Sequence, residues 1–141
     1  SEHFANAEIN ILLISMMLHL LNQNSADQLT FSSHQNSYVA YTLNYIEKKY
    51  MTKIRQTDIA SQLQISVRYL SRLFKDYMGI PLSSYINIYR INRSIELMQK
   101  TDLTLTEIAL AVGFSNAQHY SKTFINIINE PPSQYRKRLL K

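Results

Sequence analysis

Residues 57–66 read TDIASQLQIS, and residues 106–115 read TEIALAVGFS. Thr57 and Thr106 stand 49 apart, and from them Thr, an acid, Ile, Ala and a closing Ser recur in the same order. One residue further on the offset becomes 50. Ser71/Ser121, Arg72/Lys122, Phe74/Phe124, Pro81/Pro131, Ser83/Ser133 and Tyr85/Tyr135 then follow in step. Self-similarity over so long a unit marks two copies of one supersecondary element in the chain.

Each copy has the spacing of a helix-turn-helix. In that motif the second helix crosses the first closely, so the first needs a small residue at the crossing, and Ala60 and Ala109 supply it. Ile59, Leu63, Ile65, Leu70 and Leu73 fall where two crossed helices need inward side chains. The sharp turn wants a residue that tolerates positive φ: Gly113 in the second copy, Gln64 in the first at a cost of about 1 kcal/mol. Gly79 closes the first second-helix, and Asn129, the commonest substitute for Gly in a left-handed cap, stands at the matching place.

Outward from the repeat, Ser37 to Lys141 reads as helix after helix, with apolar residues at three- and four-residue spacings. Val39, Leu43, Ile46 and Tyr50 mark a first amphipathic helix capped by Ser37. The two helices of the first copy follow, the second through Leu70, Leu73, Phe74 and Tyr77, and residues 82–100 form a longer helix through Tyr85, Ile88, Ile91, Ile95 and Met98. Thr104 and Glu107 make a capping box that opens the next helix, with Ile108 and Ala111 inward. A sixth helix follows Ser115, with Tyr120, Phe124 and Ile127 inward, and Pro132 suits the first position of a seventh. No segment alternates with period two, so the fold class is all-α: seven helices forming two helix-turn-helix subdomains (57–78 and 104–128) joined by the helix 82–100.

The chain ahead of this domain (37–141) is of another kind. Residues 9–21, INILLISMMLHLL, are apolar at ten of thirteen positions, so a helix there must be buried against something. It is too short to span a bilayer, and no basic segment precedes it as in a signal peptide. Residues 4–21 are therefore expected to be an association helix, either a homodimer seam or the surface that docks a missing N-terminal domain; the sequence starts without Met, as a fragment would. Residues 22–36, rich in Asn, Gln and Ser, read as a linker.

Composition narrows the function. The 141 residues hold no Cys and two Gly, which leaves no thiolate nucleophile, no Cys-based zinc site and no glycine-rich phosphate loop. Nor does the sequence offer paired carboxylates, or histidines at metal-ligand spacing among His3, His19, His34 and His119, so neither enzyme nor cofactor is expected. All fifteen Lys and Arg lie in 37–141 against seven acids, while residues 1–36 carry Glu2, Glu8 and Asp27 and no base. A basic excess on a compact unit favours polyanionic partners, although a solvated basic surface looks the same in composition.

In a helix-turn-helix the second helix enters the major groove of a DNA duplex. With Leu70, Leu73 and Phe74 inward, SVRYLSRLFKDYM turns Arg68, Ser71, Arg72 and Lys75 outward. SNAQHYSKTFINII turns out Ala117, Gln118, Ser121 and Lys122. Arg pairs with both acceptors of guanine, Gln with adenine, and Ala touches a thymine methyl. Lys75 suits phosphate, as do the helix starts at Thr57, Ser66, Thr106, Ser115 and Asn116, whose backbone N–H groups favour anions. His119 reads as a packing or groove-rim residue. Arg90 and Arg93 are as well suited to pairing with acids such as Asp76 or Glu107 as to DNA, and Arg136, Lys137, Arg138 and Lys141 are either a phosphate clamp or a favourable helix end. Nineteen residues at ~1.5 Å rise make the joining helix roughly 28 Å long, against about 34 Å between successive major grooves on one face. Both units can then serve one duplex, with a modest DNA bend taking up any shortfall.

Residues 45–141 resemble the AraC/XylS family of bacterial transcription regulators. The resemblance is densest in IALAVGFSNAQHYSKTFINIINEPPSQYR and extends to IASQLQISVRYLSRLFKDYMGIPLSSYI. It implies two helix-turn-helix subdomains on a long helix, asymmetric promoter sites in double-stranded DNA, and base reading by Arg68, Ser71, Arg72, Ala117, Gln118, Ser121 and Lys122. It also implies a cytoplasmic protein, activation through RNA polymerase, and an N-terminal sensing domain of which 4–21 is the trailing edge. Asn129 for Gly, Ser94 for a small apolar residue and Ile125 for Lys depart from the family pattern. Two rivals remain on sequence: a helical module whose basic face binds an acidic protein, and a non-specific architectural DNA binder.

Overall fold

The computed structural model describes residues 32–140; the association helix expected over 4–21, the linker expected from 22 as far as residue 31, and Lys141 lie outside them. The described residues form seven helices and no strand: α1 (Ser33–Lys49), α2 (Gln56–Leu63), α3 (Val67–Met78), α4 (Leu82–Lys100), α5 (Leu105–Ala111), α6 (Ala117–Ile128) and α7 (Pro132–Leu139). They divide after Ile86 into two compact units, so that α4 starts in one and ends in the other.

In the first unit α1, α2 and α3 pack on one another around Val39, Ile46, Ile59, Leu70 and Phe74, all at most 1% exposed. The helix α1 begins four residues before its expected cap. Ser32 and Gln35 form a reciprocal box, the Gln35 N–H donating to Ser32 Oγ (3.2 Å) and the Ser32 N–H to Gln35 Oε1 (2.8 Å). Ser37 is thus not the cap, and residues 33–36 are helix rather than linker; the Ser37 hydroxyl donates to the Ser33 carbonyl within the first turns. Leu43 and Tyr50 are only half-buried, whereas Thr42 is fully buried because its hydroxyl donates to the Tyr38 carbonyl at 2.8 Å. An internal hydrogen bond removes the penalty for placing a hydroxyl in a core.

In the second unit α6 packs on α5 and on α7. Thr104 and Glu107 form the expected capping box of α5, and Pro132 opens α7. Ala111 is exposed, contrary to the inward place expected for it; Ile108, Ala109 and Val112 are buried instead. The helix stops at Ala111, and the tightened turn carries Val112 inward. Ile127 is likewise half-buried rather than inward.

The two units repeat each other in detail. Phe74 meets Tyr85 at 5.6 Å and Phe124 meets Tyr135 at 5.4 Å between ring centroids, both with an interplanar angle of 71°. Edge-to-face contact of this kind brings the positive ring edge onto the negative face. Within the second unit Tyr120 occupies the place of Leu70, its ring packed on Phe114 and Phe124. Its hydroxyl is buried, facing Ser94 and Arg136. The small Ser94, itself fully buried, leaves room for that phenol.

Candidate nucleic-acid interface

The turn of each helix-turn-helix is built by one backbone device. After α2, Gln64 takes a left-handed φ of 58°, and the Ile65 N–H donates to the Ala60 carbonyl at 3.0 Å. After α5, Gly113 has φ 104°, and the Phe114 N–H donates to the Ala109 carbonyl at 3.0 Å. Bonds of this kind satisfy the last carbonyls of a helix while reversing the chain. The two Ala carbonyls that accept them belong to the small residues picked out at the helix crossings, both buried.

The helix α3 starts at an N-cap on Ser66, whose Oγ accepts from the Tyr69 N–H at 3.0 Å. It buries Leu70, Leu73, Phe74, Tyr77 and Met78. Arg68, Arg72 and Lys75 are exposed on the other face, and Ser71 between them is half-buried. The Arg72 guanidinium lies 6.0 Å from the centroid of the Tyr69 ring, at the outer limit of a cation–π contact. Ser71 is committed inside the protein: its hydroxyl donates to Gln56 Oε1 at 2.9 Å, which joins the start of α2 to the outward face of α3. Gln56 was not singled out from the sequence. Its only signal there is its position one residue ahead of the repeat.

The helix α6 starts one residue later than expected. Asn116 is its N-cap, its side-chain oxygen accepting from the His119 N–H at 2.8 Å, and Ser115 stays outside the helix. An amide oxygen has the reach to bond the third N–H, which fixes the start at Ala117. Tyr120, Thr123 and Phe124 are buried. Gln118 and Lys122 are exposed, and Ala117 and Ser121 half-buried. His119 packs edge-on against Phe114, with 5.2 Å between centroids. Thr57 and Thr106 lie exposed in the first turns of α2 and α5.

Several arginines leave the interface. Arg90 is buried with its guanidinium 5.8 Å from the Phe114 ring centroid, and desolvation lowers its proton affinity. Arg93 meets Glu96 at 3.0 Å and the Tyr89 hydroxyl at 3.0 Å, and these bonds, the Tyr89 one foremost, hold it more firmly protonated. Arg136 donates to the carbonyls of Leu103 and Thr101, just past the end of α4, and Arg138 pairs with Glu130 at 3.2 Å. The C-terminal basic cluster is therefore partly a clamp on the protein's own backbone. Among the described residues no three His, Asp or Glu gather as a metal site, and no helix is long and apolar enough to cross a membrane.

Comparison with known proteins places this geometry. A family profile described as a helix-turn-helix domain matches residues 59–138, more than half of the chain. The Msm operon regulatory protein of Streptococcus mutans is 32% identical over 108 residues, covering 77% of this chain and 39% of that protein. The chain spans between 35% and 57% of the length of such curated relatives. Among solved structures, an AraC-type transcriptional regulator from Chromobacterium violaceum superposes with a TM-score of 0.68 at 31% identity, covering 78% of this chain and 98% of that one. The C-terminal domain of AraT, a response regulator from Geobacillus stearothermophilus, gives 0.69 at 29%, over 72% and 84%. The matched span runs through both repeats, and the chain belongs to the AraC-type family of helix-turn-helix DNA-binding transcriptional regulators.

Proposed function

We propose that the chain reads a promoter site in double-stranded DNA by placing α3 and α6 in two adjacent major grooves. The observation that carries this reading is the exposed polar face of each second helix, set on duplicated turns, with Leu70, Leu73 and Phe74 of α3 and Tyr120, Thr123 and Phe124 of α6 buried on the other side. Arg68 and Arg72 take guanine edges, Gln118 takes adenine, Ala117 meets a thymine methyl, and Ser71, Ser121 and Lys122 complete the base contacts. Lys75 holds phosphate, as do Thr57, Ser66, Thr106, Ser115 and Asn116, which lie at or beside the helix starts. Capping leaves Ser66 its hydroxyl proton and Asn116 its amide N–H groups, both donors suited to a phosphate oxygen.

The nineteen residues of α4 span about 28 Å at ~1.5 Å per residue, a length that permits both units to serve grooves about 34 Å apart if the DNA bends to take up any shortfall. The whole protein then acts as a cytoplasmic regulator without catalytic activity, an activator that engages RNA polymerase. Residues 4–21 associate either with a second copy or with an N-terminal domain.

Selection of bound duplexes from a random pool, followed by salt titration of the recovered site, tests the reading. One enriched sequence whose affinity falls steeply with salt supports it. Equal affinity for a scrambled duplex would make the chain an architectural binder, and no duplex binding at all would leave an acidic protein as the partner.

A further inference from the structure

The two repeats differ in charge where their backbones agree. Lys53 and Arg55, ahead of α2, correspond to Asp102 and Thr104 ahead of α5. In the second unit the start of α5 is closed by its own acid: Thr104 Oγ1 accepts from the Glu107 N–H, and Glu107 Oε2 accepts from the Thr104 N–H, both at 3.1 Å. In the first unit Arg55 is the N-cap and makes no capping bond with its side chain. Lys53 and Arg55 are both exposed. The Gln56–Ser71 hydrogen bond, which has no counterpart at Leu105 and Ser121, joins the start of α2, next to Arg55, to the serine that stands on α3 beside Arg68, Arg72 and Lys75.

The rest of the charge follows the same division. Among the described residues none of these five cations has an ion pair, whereas four arginines of the second unit are used internally: Arg90 by burial, Arg93 by Glu96, Arg136 by carbonyls and Arg138 by Glu130. The outward face of α6 keeps one cation, Lys122.

We propose that Lys53 and Arg55 form a phosphate anchor particular to the first unit, continuous with the cations of α3, so that the first unit carries most of the salt-dependent affinity for duplex DNA. The second unit discriminates among bases with little electrostatic hold. This inference rests on the duplex-binding reading above. Each phosphate neutralised contributes about 0.9 to the slope of log K against log salt.

The test uses the full chain, a duplex recovered by selection, and a scrambled duplex of equal length. Lys53→Gln with Arg55→Gln should lower the salt slope by about 2 on both duplexes without reordering the base preferences. Lys100→Gln with Lys137→Gln, the same charge removed from exposed sites of the second unit, should change the slope by less than about 0.5. Giving the first unit the second unit's residues, Lys53→Asp with Arg55→Thr, should lower the slope at least as far as neutralisation does. Equal slope changes from the two neutralised pairs, or a larger one from the second, would overturn the anchor while leaving the duplex-binding reading intact. Failure of the wild-type chain to prefer any duplex would instead remove the reading on which the anchor rests.

Discussion

Gly79 and Asn129 end α3 and α6 in the same left-handed conformation, with φ of 82° and 69°, and each donates its N–H to a carbonyl four residues back at 2.8 Å. A β-carbon there costs free energy that glycine avoids, and asparagine escapes only part of it.

Gln64→Gly, at the other non-glycine with positive φ, should stabilise the chain by about 0.5–1 kcal/mol, and Asn129→Gly by a few tenths. Gly79→Ala should destabilise by roughly 1–2 kcal/mol. Urea unfolding of the three variants checks the order, and a loss of stability in Gln64→Gly would contradict it.

Arg68→Ala and Gln118→Ala should each lose about 1–3 kcal/mol, at separate base positions of the selected site. Lys75→Ala should weaken cognate and scrambled duplexes alike. Affinities measured on a panel of single-base-pair substitutions decide this. Identical profiles for all three variants would show the assignment to be wrong.

Arg136→Ala removes both bonds to the carbonyls of Thr101 and Leu103 and should destabilise the second unit by about 1–3 kcal/mol. Its exposed neighbour Lys137, changed to Ala, should stay within ~0.5 kcal/mol of the parent. Chemical denaturation compares the two. A phosphate-binding role for Arg136 would show the reverse: an unchanged midpoint and weaker DNA binding.

Burial pushes the Tyr120 phenol up to about 12, with the Ser94 hydroxyl and the Arg136 charge pulling the other way. The folded chain therefore holds this proton at pH values where the unfolded chain, with a phenol near 10, has released it. The associated stability is full below pH 10 and is lost as pH rises toward 12. Tyr120→Phe should remove that part of the alkaline slope, at most about 3 kcal/mol over two pH units. Thermal melts of both proteins between pH 8 and 12 measure it, and parallel curves would contradict the assignment.

The repeat made the least local features legible. Alignment of the copies placed the positive φ at Asn129, where propensity agrees, and at Gln64, which a propensity argument would not choose. The Thr104–Glu107 box and the proline start of α7 were readable because a cap is decided within four residues. The start of α1 was missed although Ser32 and Gln35 carry the same signature, since SSHQNS between polar residues has the composition of a linker. Thr42 was missed because a buried threonine is visible only through the carbonyl that accepts its proton. The exposure of Arg68, Arg72, Lys75, Gln118 and Lys122 followed from helical period alone, whereas Ser71, Ala117 and Ser121, expected outward with them, are half-buried. What the helices lean on did not follow from it: Arg136 reaches carbonyls more than thirty residues earlier, and Arg90 lies over Phe114. Nothing in a linear pattern separates such an arginine from one left in solvent.

The bond from Ser71 to Gln56 limits what that serine offers a base pair. With its one proton given to the amide oxygen, the hydroxyl keeps only lone pairs for a further partner. In the proposed base contact it would therefore suit the exocyclic amino groups of adenine and cytosine and gain nothing from the keto oxygens of guanine and thymine, so a residue able to serve either class would be held to one.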